Sequence, residues 1–179
     1  MVNDSKVIEV LESLASLDLE QWAGLAQGTT LEHARRLFAI DEVWRGPGWL
    51  GSSGKKTDWY SIEAEGFPDG LRLWFRGNDL LLADARRPAL PGGFDGLLAS
   101  LGSPEARLDS YLGTLEIEES EWVYADRGLT IFVNPSNRRL LRIAVYRPAS
   151  LAEYREALRL NLKRVRLPLQ RRRMEGVLR

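Results

Sequence analysis

The chain has 179 residues, no cysteine and one histidine, and its 25 lysines and arginines balance its 25 aspartates and glutamates. The absence of thiols excludes disulfide frameworks, cysteine nucleophiles and zinc-thiolate centres, and the single histidine excludes clusters of histidine ligands. No segment approaches the roughly 20 apolar residues of a membrane-spanning helix, and the first residues lack a secretory signal pattern, so we expect a soluble cytoplasmic protein.

The first forty residues have the periodicity of helices. Apolar residues recur at spacings of three and four near the start of the chain. Further on, Thr29 and Glu32 form a capping pair ahead of another apolar stripe. We therefore predict N-terminal helices over residues 1–28 and a further helix from about 30 to 40.

A segment rich in glycine and serine follows, from Arg45 to Lys56, and its composition predicts a loop. Trp44 and Trp49 lie beside it and within it. The portion Gly51–Lys56 has a superficial likeness to a phosphate-binding loop. However, Trp49 stands where the first glycine of that motif belongs, so we expect no nucleotide site here.

From residue 58 the apolar period changes to two, which is the period of a strand with one buried face. Turn-forming residues separate three such segments and predict an antiparallel meander. The predicted strands are Asp58–Glu65, Leu71–Arg76 and Leu80–Arg86.

The next part of the chain also begins with helical patterns and continues with strands. We predict short helices at Phe94–Leu101 and Pro104–Leu112, and strands at Glu121–Tyr124, Leu129–Asn134 and Leu140–Arg147. A last helix is expected to begin at Ser150 and to end before Pro168.

The two blocks of strands align with one another. Gly70–Phe75 (GLRLWF) matches Gly128–Val133 (GLTIFV), and Arg-Pro-Ala ends each block, at 87–89 and 147–149. The aromatic starts, Trp59-Tyr60 and Trp122-Val123-Tyr124, correspond as well. Ordered matches at a nearly constant offset indicate an internal repeat.

We therefore predict an α+β fold made of two tandem repeats, each with a helix and a three-stranded antiparallel meander. The first repeat covers residues 29–90 and the second covers 91–149. The N-terminal helices (1–28) precede them, and a C-terminal helix with a basic tail (150–179) follows.

The balanced net charge hides an uneven distribution. Residues 1–154 carry 16 basic and 23 acidic residues, whereas residues 155–179 carry 9 and 2. The basic tail includes Arg171, Arg172 and Arg173. It is either a solvated end of the chain or a contact for a polyanion such as nucleic acid.

An acidic cluster comprises Glu116, Glu118, Glu119 and Glu121. Paired carboxylates suit acid–base chemistry or hard cations, but no calcium-loop pattern accompanies these. We therefore predict an acidic rim for a basic partner. His33 is expected at the surface of its helix, and the sequence predicts no catalytic residue, metal ligand or cofactor.

Strand alternation predicts that each meander has one apolar face and one mixed face. The mixed face combines arginine with aromatic residues, which is the composition of hot spots in protein interfaces. Coverage of this face by the protein itself is the alternative. The predicted partner-binding residues are Trp44, Trp49, Arg72, Trp74, Arg76, Phe132, Arg142 and Tyr146.

The tandem helix-plus-sheet units over roughly residues 29 to 165, without cysteine or a catalytic set, resemble β-lactamase-inhibitor-like modules and the immunity proteins that neutralise toxins. The resemblance implies a proteinaceous inhibitor. We therefore predict a non-enzymatic protein-binding module, a cytoplasmic inhibitor or immunity protein. Two alternatives stay open: a ligand-binding or regulatory domain with a pocket at Trp44, Trp49 and Trp59, and a nucleic-acid-associated protein acting through the basic tail.

Overall fold

The structure is a computed structural model that describes residues 29–38, 45–64, 67–88, 93–112 and 115–160. Its helices are α1 (Leu31–Phe38), α2 (Gly93–Leu101), a 3-10 turn (Ala125–Arg127) and α3 (Leu151–Glu153), which continues as a π-helix (Tyr154–Leu158). Its strands are β1 (Arg45–Leu50), β2 (Lys55–Ala64), β3 (Phe67–Arg76), β4 (Asp79–Arg86), β5 (Ala106–Leu112), β6 (Leu115–Tyr124), β7 (Leu129–Asn134) and β8 (Arg139–Tyr146). The predicted α+β class is confirmed.

The eight strands form one antiparallel sheet in the order β1-β2-β3-β4-β8-β7-β6-β5. Strands β1 to β4 make one meander, β5 to β8 make another, and β4 pairs with β8 at the centre. The prediction of three strands in each repeat is therefore wrong, because each half of the sheet has a fourth strand at its outer edge.

Strand β1 replaces the first part of the predicted loop. Gly46 and Gly48 lie against the rings of Trp59 and Trp74, and a Cβ atom at either glycine would collide with them. Glycine inside a strand marks a close approach of this kind. The glycines that suggested a loop therefore allow β1 to pack on two tryptophans.

Strand β5 replaces the helix predicted at Pro104–Leu112. Its residues pair with β6, with Ala106 opposite Val123. Ser110 is buried while its neighbour Asp109 is exposed, which is the alternation of a strand. Pairing with β6 therefore decides the conformation of a short segment whose local pattern is ambiguous.

The first face of the sheet carries the larger core, covered by α1 and α2. Leu71, Leu73 and Phe75 of β3 lie in this core, as the period of two predicts. Full burial of one such side chain contributes about 1.5 to 3 kcal/mol. The predicted helix near residue 30 is present, and Thr30 rather than Thr29 caps it, because Thr30 Oγ1 accepts from the His33 N–H (3.1 Å).

The second face is partly covered by the C-terminal segment. Tyr154, Leu158 and Leu160 pack on this face together with residues of β3, β4, β7 and β8. Ser150 caps the segment as predicted, since its Oγ accepts from the Glu153 N–H (3.2 Å). The helical conformation ends at Leu158 instead of continuing to Pro168.

The sheet is strongly curved around its second face. In a flat sheet, β1 and β5 would lie about 34 Å apart. Here Arg159 bonds to both ends of the sheet: its carbonyl accepts from the Gly51 N–H (2.7 Å), and its Nη2 donates to the Asp109 carbonyl (2.6 Å). The C-terminal segment therefore closes one end of the curved sheet.

The two meanders have matching registers. The β3–β4 ladder shifts between Trp74 and Phe75, and the β7–β8 ladder shifts between Phe132 and Val133, at equivalent positions of the sequence match. One detail of the predicted alignment is wrong. The prediction aligns Trp122 with Trp59, whereas the strand pairing makes Trp122 equivalent to Tyr60.

The β4–β8 ladder at the centre of the sheet is centred on two residues that align in the sequence match. Asp84 of β4 pairs with Ala144 of β8, and these two residues occupy the same position of that match. Each residue on one side of this pair therefore has an equivalent on the other side. The residues at these positions on the second face differ between the two halves.

Candidate functional site

The part of the second face that the C-terminal segment leaves open forms a cavity of about 840 Å³. Four arginines and one aspartate line it, for a formal net charge of +3, together with amide, hydroxyl and apolar side chains. The lining residues are Asp69, Arg86, Arg87, Ser110, Tyr111, Phe132, Asn134, Asn137, Arg139, Leu141 and Arg142. We call this the basic cavity.

A buried carboxylate, Asp84, organises the floor beside the basic cavity. Its side chain is fully buried, and it accepts hydrogen bonds from Arg72 Nη2 (2.6 Å) and Trp74 Nε1 (2.6 Å). Arg142 Nε lies 3.3 Å from the same carboxylate. Two guanidinium groups therefore share one negative charge, which leaves this network with an excess positive charge.

Arg142 is the most enclosed of the cavity's arginines, with 9% of its side chain exposed. Its Nη1 is buried and has no hydrogen-bond acceptor among the residues that the structure describes. Burial lowers the pKa of Arg142 to about 10, the charges of Arg72 and Arg86 act in the same direction, and Asp84 opposes them. Arg142 therefore stays protonated at neutral pH and keeps one unused donor.

Arg86 lies directly opposite Arg142 across the β4–β8 ladder. Like charges at directly opposed positions destabilise a sheet. Neither Arg86 nor Arg139 forms an ion pair within the described ranges. The cavity therefore holds more arginines than carboxylates, because Asp84 contacts Arg142 and Asp69 pairs with Arg87 while Arg86 and Arg139 have no ion pair in the described part of the chain, and an anion would stabilise this arrangement.

The rim of the basic cavity adds further donors. Asp69 holds Arg87 in a two-pronged ion pair (2.5 and 2.6 Å), which lowers the pKa of that carboxyl. The amide oxygens of Asn134 and Asn137 accept from backbone N–H groups of their own turn. The NH₂ groups of Asn134 and Asn137 take no part in these turn hydrogen bonds and are donors at the rim.

A second cavity of about 650 Å³ adjoins the first and shares Ser110 and Tyr111 with it. It contains Glu121, which accepts hydrogen bonds from Tyr154 Oη (2.7 Å) and from Arg159 Nε and Nη2 (both 3.0 Å at the shortest). Burial raises the pKa of Glu121, and Arg159 and Tyr154 oppose that rise. This cluster fastens the C-terminal segment to the sheet.

Four of the eight predicted interface residues, Trp74, Phe132, Arg142 and Tyr146, are buried inside the protein, so the prediction of an exposed mixed face is wrong for them. Trp74, Phe132 and Tyr146 pack in the second core, with at most 7% exposure. Arg76 is half-buried, and its Nη2 donates to the Ala157 carbonyl (3.4 Å). Trp74 and Tyr146 share this core with Tyr154, Leu158 and Leu160 of the C-terminal segment, whereas Phe132 also lines the basic cavity.

Arg72 and Arg142 are also less exposed than the predicted interface requires. Arg72 has 19% of its side chain exposed and lies over the rings of Trp59 and Trp74 (5.8 and 5.5 Å). Arg142 faces inward on Asp84 and Phe132. Of the two, only Arg142 lines the basic cavity.

Of the three tryptophans of the predicted pocket, Trp49 and Trp59 lie within the described residues, and they differ in exposure. Trp49 is 45% exposed on β1. Trp59 is half-buried beneath β1, and its Nε1 donates to the Pro47 carbonyl (3.2 Å). Trp44 lies outside the described residues.

The predicted charged surfaces are placed only in part. Glu116, Glu118 and Glu119 are exposed on β6, as an acidic rim requires. Glu121 is buried, so its assignment to the rim is wrong: it belongs to the cluster with Arg159. Arg171, Arg172 and Arg173 lie outside the described residues, and His33 is exposed on α1.

Sequence reasoning missed the residues that give the cavity its charge. Arg86, Arg87 and Arg139 lie at the ends of β4 and β8, and the β4–β8 pairing places Arg86 opposite Arg142, which contacts the buried Asp84. One signal was available, because Asp84 interrupts the strand LLLADAR. A carboxylate inside an apolar strand requires buried partners.

The comparisons with known proteins give no relative for this chain. No family model, curated protein or solved structure matches it. Within the described ranges, no helix is long and apolar enough to cross a membrane. The same residues include no group of three or more histidine, aspartate or glutamate side chains suited to a metal ion.

Proposed function

We propose that the chain is a non-enzymatic binding protein and that its ligand presents an anionic group to the basic cavity. The observation that carries this proposal is Arg142, a nine-tenths-buried arginine with an unused donor, directly opposite Arg86. Burying a cation beside another cation costs stability. A bound anion would offset that cost, and we therefore assign the two arginines to ligand binding.

The size and lining of the basic cavity support a ligand site. Pockets for small molecules typically measure about 300 to 1,000 Å³ and combine apolar walls with a few convergent polar groups. Here Phe132, Tyr111 and Leu141 supply apolar surface, and arginines and amides supply donors. Arginine is always protonated near neutral pH and binds anions without transferring protons, which favours binding over catalysis.

The difference between the two meanders also supports a site on the second face. Positions on the first face are apolar in both halves, for example Leu71 and its equivalent Leu129. On the second face, Arg142 is the equivalent of Leu82, and Asp84 is the equivalent of Ala144. We propose that the two halves derive from one unit, in which the core was kept and one copy of the second face became a binding site.

Docking of a protein partner is a second candidate function, favoured by Trp49. This residue is 45% exposed on β1, which lies at the end of the strand order. Exposed tryptophan is frequent at protein interfaces. An inhibitor or immunity protein would use such a surface, and replacing Trp49 with alanine should then weaken partner binding while leaving thermal melting unchanged.

The anion-binding proposal is tested by calorimetric titration of the full chain at low ionic strength with small carboxylates, phosphate and pyrophosphate. We expect saturable binding that is lost in the double variant Arg86→Ala, Arg139→Ala. The matched control is Arg36→Ala, since Arg36 is an exposed arginine on α1 paired only with Glu32 among the described residues. No saturable binding of any anion, or equal binding in the double variant, would refute the proposal.

A further inference from the structure

The charges around the basic cavity exceed what a single carboxylate can neutralise. Asp69 neutralises Arg87, and Asp84 is shared between Arg72 and Arg142. Arg86 and Arg139 then remain without an ion pair within the described chain. A ligand with one negative charge would leave most of this excess uncompensated.

The positive groups also line one cavity. Arg86 and Arg142 are direct cross-strand neighbours, and side chains at such positions have Cβ atoms about 4.5 to 5.5 Å apart. Arg139 precedes Arg142 on the same strand and pairs with Asn134 across the β7–β8 ladder. A compact group with several acceptor oxygens reaches these donors better than two separated carboxylates do.

We infer that the ligand group held by the basic cavity is a phosphate, as a monoester or pyrophosphate, rather than a carboxylate. This inference rests on the anion-binding function proposed above. A phosphate monoester carries about −1.5 to −2 charges at neutral pH and three strong acceptor oxygens on one atom. Guanidinium groups bind such oxygens in pairs, and Arg142, which lines the cavity, has an unused donor at Nη1.

Asp84 is a positioning residue in this arrangement. Its carboxylate is fixed by Arg72 and Trp74 and lies 3.3 Å from Arg142 Nε. This contact orients the guanidinium with Nη1 away from the salt bridge. Asp69 has the opposite effect on binding, because it occupies Arg87 at the rim.

The test compares the affinities of the full chain for acetate, citrate, inorganic phosphate and pyrophosphate by calorimetry at low salt. We expect pyrophosphate to bind tightest, and phosphate to bind at least about tenfold tighter than acetate, as charged hydrogen bonds provide. Citrate should bind more weakly than pyrophosphate despite its three charges. A phosphoserine peptide is an added arm: a peptide that binds more tightly than free phosphate supports a phosphate carried by a protein, and the reverse supports a free phosphate compound.

Two variants distinguish a change in phosphate binding from a folding defect. Asp69→Asn should raise phosphate affinity about threefold or more, since it releases Arg87 to the cavity, and impaired folding would not produce a gain. Arg142→Lys keeps the charge and loses the planar fork, so it should weaken phosphate binding about tenfold. If acetate or citrate binds as tightly as pyrophosphate, or Asp69→Asn weakens binding, the phosphate assignment is wrong while the anion site stands. If no anion binds, the proposed function itself fails.

Discussion

At the residue scale, Trp74 both packs in the second core and donates a hydrogen bond to a buried charge. Its ring lies under Gly48 of β1, and its Nε1 donates to the buried carboxylate of Asp84. Strand alternation correctly places Trp74 opposite the first core. Alternation does not reveal that the C-terminal segment covers this face, because that contact depends on residues some eighty positions away.

Replacing Trp74 with alanine should lower the free energy of unfolding by about 3 to 5 kcal/mol, the usual cost of deleting a large buried ring. Trp74→Phe keeps most of the packing but leaves Asp84 Oδ2 without its donor, so we expect a loss of about 1 to 3 kcal/mol. Urea denaturation measures both. A Trp74→Ala variant as stable as the unmodified protein would place the ring at an exposed surface and contradict the fold.

The Glu121–Arg159 pair gives a pH-dependent prediction. Replacing Arg159 with methionine leaves Glu121 buried without its cation. We expect the free energy of unfolding to fall by about 2 kcal/mol. This is less than for a fully buried pair, because Arg159 keeps 33% of its side chain exposed.

The sign of the pH dependence follows from the raised pKa of Glu121. Burial makes the folded protein bind this proton more tightly than the unfolded chain does. The contribution of Glu121 to stability therefore falls as pH rises through its folded pKa, and the total fall is larger when Arg159, which lowers that pKa, is absent. The loss of unfolding free energy in Arg159→Met should therefore be smaller at about pH 5 than at about pH 8. The control variant is Arg36→Met, which removes an exposed arginine. A loss that does not change with pH would mean that Glu121 is not the group affected.

At the scale of elements, β1 shows where composition misleads. The sequence RGPGWL has the glycine and proline content of a loop, yet it pairs with β2 along its full length. The prediction failed because propensity describes an isolated segment, whereas Gly46 and Gly48 are selected by the rings beneath them. By contrast, β3, β4, β7 and β8 have clear alternation and were predicted within two residues, apart from the earlier start of β3.

Substitution of Gly48 by alanine tests this account of β1. The added Cβ would collide with the ring of Trp74, so we expect a loss of about 1 to 3 kcal/mol from overpacking. Gly96→Ala in α2 is the matched control, since a Cβ there meets nothing within 4 Å and should stabilise the helix by about 0.5 to 1 kcal/mol. Equal thermal melting of the two variants would show that β1 does not pack on Trp74.

At the scale of the whole molecule, the site arises from long-range pairing. The basic cavity combines Asp69 of β3, Tyr111 of β5 and Arg142 of β8, from both halves of the sheet. The internal match in the sequence indicated related halves, but local patterns contain no information on the β4–β8 junction or on the curvature. The fold class and most strands were therefore predictable, and the position of the site was not.

The central claim is that anions bind in the basic cavity and not elsewhere on the chain. Amide NMR during a titration with pyrophosphate, at constant ionic strength, locates the binding directly. We predict that the largest shifts occur at residues that line the cavity, namely Arg86, Arg87, Ser110, Tyr111, Asn134, Asn137, Arg139, Leu141 and Arg142. Shifts confined to the basic residues 161–179, or no shifts at saturating pyrophosphate, would contradict the account.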